Sequence, residues 1–72
     1  MIKRISQGSK FEEKIGYARV VVAGGWAHVS GTTGFHYATG EISSDVVAQA
    51  EQCLANINWA LDQAGYDFSD VV

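Results

Sequence analysis

The chain has 72 residues, of which 47% are hydrophobic and 18% are charged, and this composition is typical of one small globular domain. A domain of this length buries only about 60% of the surface of its unfolded chain, so we expect it to associate with copies of itself or to be incomplete. The net charge of −3 at pH 7 argues against a general affinity for nucleic acid, which requires a basic face.

Cysteine content and hydropathy narrow the class of protein further. Cys53 is the only cysteine, so no disulfide can form within the chain. No run approaches the roughly 18 apolar residues that a membrane span needs, and no apolar signal segment follows Met1. We therefore expect a soluble cytoplasmic protein without a membrane partner.

The first part of the chain predicts a short strand followed by a β-hairpin. Residues 2–5 predict the strand, and the polar residues 6–16 predict an irregular connection. Residues 18–22 are rich in β-branched side chains, and residues 26–30 alternate between apolar and polar. The glycine pair at 24–25 suits a type I′ turn, which needs positive φ at both central positions.

This turn determines the register of the hairpin, in which Val22 lies opposite Ala27 and Val20 lies opposite Val29. Because side chains alternate between the two faces of a sheet, one face is small and apolar and suits a covering helix. That face carries Ala18, Val20, Val22, Ala27, Val29 and Gly31. The other face is mostly hydrogen-bonding and carries Tyr17, Arg19, Val21, His28, Ser30 and Thr32.

A long amphipathic helix follows a glycine- and threonine-rich loop at residues 31–43. Apolar residues recur at spacings of three and four, which predicts a helix of about 20 residues, or ~30 Å. They are Val46, Val47, Ala50, Cys53, Leu54, Ile57, Ala60, Leu61 and Ala64. Residues 43–45 offer N-cap oxygens, and Gly65 ends the helix. One hairpin is too narrow to cover this helix, so we expect residues 68–72 to start a further strand.

These elements and their motifs resemble the Rid/YjgF family, which includes RidA, UK114 and L-PSP. The matching segments are residues 16–22, residues 29–34 with the Ser-Gly-Thr-Thr-Gly motif, the helix residues 45–57, and residues 60–61, 64–65 and 70–72. The resemblance implies a chorismate-mutase-like α+β fold, in which sheets from three subunits pack into a central barrel with the helices outside. It also implies that residues 1–72 form a single, incomplete domain of this type.

The resemblance implies an activity as well. The family's best-described members hydrolyse reactive enamine and imine intermediates, such as 2-aminoacrylate, to 2-keto acids and ammonia. They need no metal and no organic cofactor, and their sites lie in clefts between subunits. The implied partners are further copies of the chain, in a homotrimer, and a small carboxylate or imine metabolite.

The same resemblance indicates substrate-binding residues. Tyr17 matches the family's pocket tyrosine, whose hydroxyl can form a hydrogen bond and whose ring can cover a planar substrate. Ser30 and Gly31 match the Ser-Gly of the pocket floor, where a hydroxyl and a backbone N–H can hold a carboxylate or a water. Thr32 follows them and lies on the same face as Ser30. The structural alternative is that Tyr17 is an aromatic residue that closes the end of the hairpin, and that Ser30 and Gly31 lie where a strand ends in a turn.

Arg19 shares the hydrogen-bonding face and has two interpretations. It could bind a substrate carboxylate through a bidentate contact, or it could pair with a glutamate at the subunit interface. Thr32 and Thr33 stand where many deaminating members have a glutamine and an aliphatic residue, and Gly34 stands where they have proline. These differences indicate a separate branch of the family.

No metal site is predicted, because His28, His36 and Cys53 do not form pairs at ligand spacing. An imine or enamine deaminase is the first functional hypothesis, and a non-catalytic trimer that binds a small metabolite is the second. Endoribonuclease action, which some family names suggest, is the least favoured because the chain is acidic. The arginine and glutamate that family deaminases use lie beyond Val72, which leaves the choice between enzyme and binding protein open.

Overall fold

The computed structural model describes residues 2–8, 12, 14 and 16–72. Over these residues the fold is α+β, as predicted: a three-stranded antiparallel sheet in the order β1-β2-β3, a two-stranded sheet, and a long helix. The elements are β1 (Lys3–Ile5), β2 (Val20–Ala23), β3 (Trp26–Val29), β4 (Phe35–His36), β5 (Glu41–Ile42), α1 (Val46–Gln63) and a short 3-10 helix (Phe68–Asp70).

The central hairpin has the predicted register. Val22 pairs with Ala27 and Val20 pairs with Val29 across β2 and β3. The turn between them has positive φ at both glycines, 59° at Gly24 and 79° at Gly25, which only residues without a Cβ adopt at little cost. The predicted first strand is confirmed as β1, which pairs antiparallel with β2.

Helix α1 covers the face of the sheet that was predicted to be apolar. Val20 and Ala60 are completely buried, and they form the core together with Leu61. Lys3 lies opposite Val22 in the register, and its ammonium donates a hydrogen bond to the carbonyl of Gln63, 3.2 Å away. The end of α1 therefore lies over this face.

The ends of α1 follow from local hydrogen bonds. The Asp45 carboxylate accepts the N–H of Ala48 at 3.0 Å, which makes Asp45 the N-cap. Gly65 has φ of 83°, and the N–H of Tyr66 donates to the carbonyl of Leu61 at 2.8 Å, as in a Schellman motif. Among the described residues, no helix combines the length and the apolar character needed to span a membrane.

The buried face of α1 differs from the predicted apolar stripe. Val46 and Val47 are 74% and 61% exposed, and Leu54 is also exposed. The buried residues include Asn56, whose polar side chain the apolar pattern did not select. The helix is rotated in this way because the loop after β3 presents carbonyl groups toward it, and buried carbonyls require donors.

Three predictions of irregular or extended structure, for residues 6–16, 31–43 and 68–72, were wrong in detail. Residues 31–43 are not only a loop, because β4 and β5 pair within them. Glu12 and Lys14 have helical backbone within a segment that was predicted to be irregular, and the N–H of Gly16 donates to the carbonyl of Glu12 at 2.9 Å.

The segment predicted as a further strand contains the 3-10 helix. The Asp67 carboxylate accepts the N–H of Ser69 and the Asp70 carboxylate accepts the N–H of Asp67, so a capping box forms before an extended segment can begin. Hydrogen bonds from the Ser69 hydroxyl and then from its N–H lower the pKa of Asp67 below its ordinary value. Val71 has extended backbone but belongs to no strand over the described residues.

Candidate functional site

Residues 30–35, the site loop, run from the end of β3 into β4. Gly31 and Thr32 of this loop contact the buried guanidinium of Arg19. One nitrogen of the Arg19 guanidinium, Nη1, donates to the carbonyl of Gly31 at 2.8 Å and to the hydroxyl of Thr32 at 3.2 Å. A second guanidinium nitrogen, Nη2, lies 3.2 Å from Oε2 of Glu12. The side chains of this ion pair are 0% and 1% exposed. Arg19 therefore joins the sheet, the N-terminal segment and the site loop.

Two aromatic rings cover the same guanidinium. Its central carbon lies 4.3 Å from the ring centroid of Tyr37 and 5.7 Å from that of Tyr17. Both distances fit cation–π contacts. Because Arg19 contacts Tyr17, Gly31 and Thr32, it brings three of the predicted substrate-binding residues into one cluster.

Arg19 itself pairs with a glutamate, as the structural alternative expected, but that glutamate is Glu12 of the same chain and not of a neighbouring subunit. Its Nε is buried and has no hydrogen-bond partner among the described residues. A direct bond between Arg19 and a substrate carboxylate stays a prediction, and it would require the guanidinium to become accessible.

Ser30 lies at the end of β3, beside the cluster. Its hydroxyl donates to the carbonyl of Ala18 at 2.6 Å, and its N–H donates to the carbonyl of Arg19 at 2.9 Å. The Ser30 oxygen keeps its capacity to accept a hydrogen bond. The Thr32 hydroxyl donates to the carbonyl of Ser30 at 2.8 Å, so the predicted Ser-Gly-Thr segment is tightly bonded and only Gly31 in it is exposed.

Helix α1 holds the other half of the site loop. Asn56 Nδ2 donates to the carbonyls of Thr33 and Phe35, at 3.0 and 2.8 Å, and the Cys53 thiol donates to the carbonyl of Thr32 at 3.3 Å. Gly34 packs so closely that a Cβ there would lie 2.3 Å from the carbonyl oxygen of Gln49. The loop thus lies directly against the helix backbone.

A cavity of about 570 Å³ opens at the edge of β3, which has no neighbouring strand on that side over the described residues. Its lining is mostly apolar, and Ser30 and Thr32 contribute its polar part next to the site loop. The Tyr66 hydroxyl donates to the carbonyl of Gly25 at 3.1 Å and forms part of the wall. The remaining wall includes Trp26, Val29, Ile57, Leu61 and Val71.

Comparison with known proteins identifies the family. The model of the endoribonuclease L-PSP family matches residues 8–72. The chain belongs to this family. A crystal structure of a Mycobacterium tuberculosis member of the YjgF/YER057c/UK114 family is similar over 100% of this chain and 55% of its own, with 39% identity and a TM-score of 0.86.

Curated relatives of this L-PSP-family chain cover its whole length. A RutC family protein from Haemophilus influenzae is 36% identical over 73 residues, and these are 100% of this chain and 56% of the relative. A 2-iminobutanoate/2-iminopropanoate deaminase from Capra hircus is 35% identical over 74 residues, 100% of this chain and 54% of the relative. The chain therefore spans about half the length of these two relatives.

His28 and Cys53 of this L-PSP-family chain contact different parts of the structure. The ring of His28 stacks on Trp26 at 6.5 Å between centroids, whereas Cys53 contacts the site loop. Over residues 2–8, 12, 14 and 16–72, no three His, Cys, Asp or Glu side chains come close enough together to hold a metal ion.

Asn56 contacts the site loop, although the apolar sequence pattern did not indicate it as a site residue. A signal for it exists, because Gln49, Gln52 and Asn56 are spaced by three and four and so share one face of a helix. Three amides on the face that also carries Ala60 indicate contacts with backbone groups and not with solvent.

Proposed function

We propose that this L-PSP-family chain builds one side of a site for small 2-imino and 2-oxo acids. We further propose that the whole protein hydrolyses reactive 2-imino and enamino acids to 2-keto acids and ammonia. The observation that supports this is the cluster of Tyr17, Gly31 and Thr32 around Arg19, with Ser30 adjacent. The deaminase from Capra hircus, matched along the entire chain, supports the same chemistry.

In this proposal the residues of the cluster bind and orient, and water reacts. The Tyr17 ring lies against the planar C=N unit while its hydroxyl forms a hydrogen bond to the substrate. The Ser30 oxygen accepts a hydrogen bond from the attacking water or from the imine nitrogen. Gly31 lacks a Cβ and is exposed, so a substrate can approach its backbone.

The reaction is a hydrolysis that consumes one water. The water oxygen forms a bond to the imine carbon while the C=N electron pair moves to nitrogen, which takes a proton. The resulting carbinolamine loses ammonia, and its hydroxyl proton leaves as the C=O bond forms. We propose that an arginine that binds the carboxylate and a glutamate that positions the water come from the part of the family domain that this chain does not cover. The deaminases that the chain resembles use the same two residue types.

We also propose that the chain works as a homotrimer with a chorismate-mutase-like central barrel. The sheet face opposite α1 supports this proposal, because Trp26 is 59% exposed there and stacks with His28, which is also exposed. Light scattering coupled to gel filtration would give three times 7.8 kDa for such a trimer of this chain. A mass of 7.8 kDa at micromolar concentration would contradict it.

The activity is tested by ammonia release from an enzymatically generated 2-imino acid, measured with the full-length protein. Loss of the tyrosine hydrogen bond in Tyr17→Phe should reduce kcat/KM about tenfold. Ser69→Ala is the control, because it removes a hydroxyl that bonds to Asp67, outside both the cluster and the cavity wall. No turnover by the wild-type protein would reject the deaminase proposal.

The complete burial of Arg19 favours a second candidate, a trimer that binds a small carboxylate without turnover. A buried arginine already bonded to Glu12, Gly31 and Thr32 stabilises the site loop and is not accessible to take part in a reaction. This candidate predicts thermal stabilisation by 2-oxo acids, about 2.7 kcal/mol at a concentration 100 times the Kd, together with no ammonia release.

A further inference from the structure

Asn56 is a polar residue in the middle of α1, and only 3% of it is exposed. Both ends of its amide are bonded. Nδ2 donates to the carbonyls of Thr33 and Phe35, as described above, and Oδ1 accepts from Nε2 of Gln7 at 3.1 Å and of Gln52 at 3.0 Å. These four bonds use both donors and both lone pairs of the side-chain amide.

The two ends of this amide serve different parts of the fold. The donor end faces the site loop, and the acceptor end faces the N-terminal segment and the helix itself. Gln7 also donates its backbone N–H to Oε1 of Glu12, at 3.0 Å, and Glu12 pairs with Arg19. The bonds therefore close a ring that runs from Arg19 through the site loop, Asn56, Gln7 and Glu12 back to Arg19.

Within this ring, the site loop is held from two sides. Arg19 binds the Gly31 carbonyl from the sheet, and Asn56 binds the Thr33 and Phe35 carbonyls from the helix. In a planar trans peptide group, the C=O and the following N–H point in opposite directions. Fixing the Thr33 carbonyl therefore also fixes the direction of the Gly34 N–H and the path of the backbone on either side.

We propose that Asn56 is a positioning residue for the ligand site. It does not contact the ligand; it holds the site loop in the conformation in which Gly31 and Thr32 bond to Arg19, whose guanidinium lies against the ring of Tyr17. The part of this inference that concerns ligand binding depends on the function proposed above. The part that concerns the loop does not, and it can be measured without a ligand.

The substitution Asn56→Asp tests the donor end of the amide without removing the acceptor end. The variant keeps an oxygen that accepts from Gln7 and Gln52, but it replaces the NH2 group by an oxygen that faces two carbonyls. The ionised carboxylate repels both carbonyls, whereas the neutral carboxyl can donate one hydrogen bond to them. The groups that bond directly to Asn56 are uncharged. Gln7 bonds to both Asn56 and Glu12, and through it the charged pair Glu12–Arg19 is connected to Asn56.

Nuclear magnetic resonance of the 72-residue chain gives the readout. The amide nitrogens of Gly34 and His36 share peptide groups with the Thr33 and Phe35 carbonyls, so their shifts and exchange rates report on the bonds from Asn56. Asn58→Asp is the matched control, because it makes the same charge change at an exposed position two residues away on α1.

At neutral pH we expect Asn56→Asp to speed exchange at Gly34 and His36 about tenfold relative to the control, with the amides of β2 and β3 unchanged. The loop signals should return toward their wild-type positions as the pH falls through the pKa of the introduced carboxyl. Equal changes in the sheet and the loop, or loop signals that do not depend on pH, would overturn the inference.

Titration of the full-length protein and its variants with 2-oxobutanoate completes the test. Binding about tenfold weaker in Asn56→Asp than in Asn58→Asp at neutral pH, and restored at lower pH, supports the positioning role. Equal affinity in both variants overturns it. If the wild-type full-length protein does not bind 2-oxobutanoate, the proposed function fails, and the exchange measurement alone then decides whether Asn56 positions the loop.

Discussion

Replacing Arg19 by methionine tests the central claim about the site, which is that one buried ion pair organises the loop. The substitution keeps an unbranched apolar chain between the rings of Tyr17 and Tyr37 but removes the guanidinium. The bonds to the Gly31 carbonyl and the Thr32 hydroxyl are then lost, and the buried Glu12 carboxylate loses its ion pair with Arg19.

The expected loss of unfolding free energy is large for a chain of this size. Breaking a buried ion pair by removing one partner costs about 3–5 kcal/mol, because the remaining charge stays in a medium of low polarity. A domain of 72 residues has a total stability of roughly 4–11 kcal/mol. We therefore expect Arg19→Met to unfold at much lower urea concentration than the wild-type chain.

Urea denaturation followed by tryptophan fluorescence measures this loss, and a double-mutant cycle identifies its cause. Glu12→Gln combined with Arg19→Met leaves neither charge, so the double variant should be more stable than Arg19→Met alone by about 1 kcal/mol or more. A cost below about 1 kcal/mol for Arg19→Met, or additive effects in the double variant, would refute the claim that the pair is buried and coupled.

Two further predictions concern close packing and pH. Gly34→Ala should lower the unfolding free energy by about 1–3 kcal/mol in the same denaturation assay, because its Cβ would lie 2.3 Å from the Gln49 carbonyl, while Gly31→Ala, which meets nothing within 4 Å, should cost much less. Ser69→Ala should raise the pKa of Asp67 toward its ordinary value in a carbon-13 carboxyl titration, since the Ser69 hydroxyl lowers it. Because the folded pKa of Asp67 is depressed, its contribution to stability is present above the unfolded pKa and is lost as the pH falls through the folded one. Wild-type and Ser69→Ala titration curves that coincide would contradict this cause.

Local chemistry was sufficient to predict the hairpin and the ends of the helix. Gly24 and Gly25 need no distant partner to adopt positive φ, and once they form the turn, the alternation of β2 and β3 follows. Asp45 and Gly65 act within one turn of α1 in the same way. These features depend on residues within a few positions of each other, so a single sequence contains the information.

The errors share a different origin. Leu54 belongs to the apolar periodicity of α1 but is exposed, whereas Asn56 is buried because carbonyls of the site loop face it from 21 and 23 residues away in sequence. Residues 68–72 were predicted to start a strand, but the carboxylates of Asp67 and Asp70 cap a 3-10 helix at residues 68–70. Periodicity measures hydrophobicity alone and does not record where hydrogen-bond donors are needed.

By itself, the sequence determined the strands of the hairpin, their register, the helix with its caps, and the residues that mark the L-PSP family. Only the tertiary structure decided that Arg19 pairs with Glu12, that its guanidinium gathers Tyr17 and the site loop, and that Asn56 holds that loop to the helix. The physical reason is that buried charges and amides are satisfied by whichever groups the folded chain brings within about 3 Å, and those groups are distant in sequence.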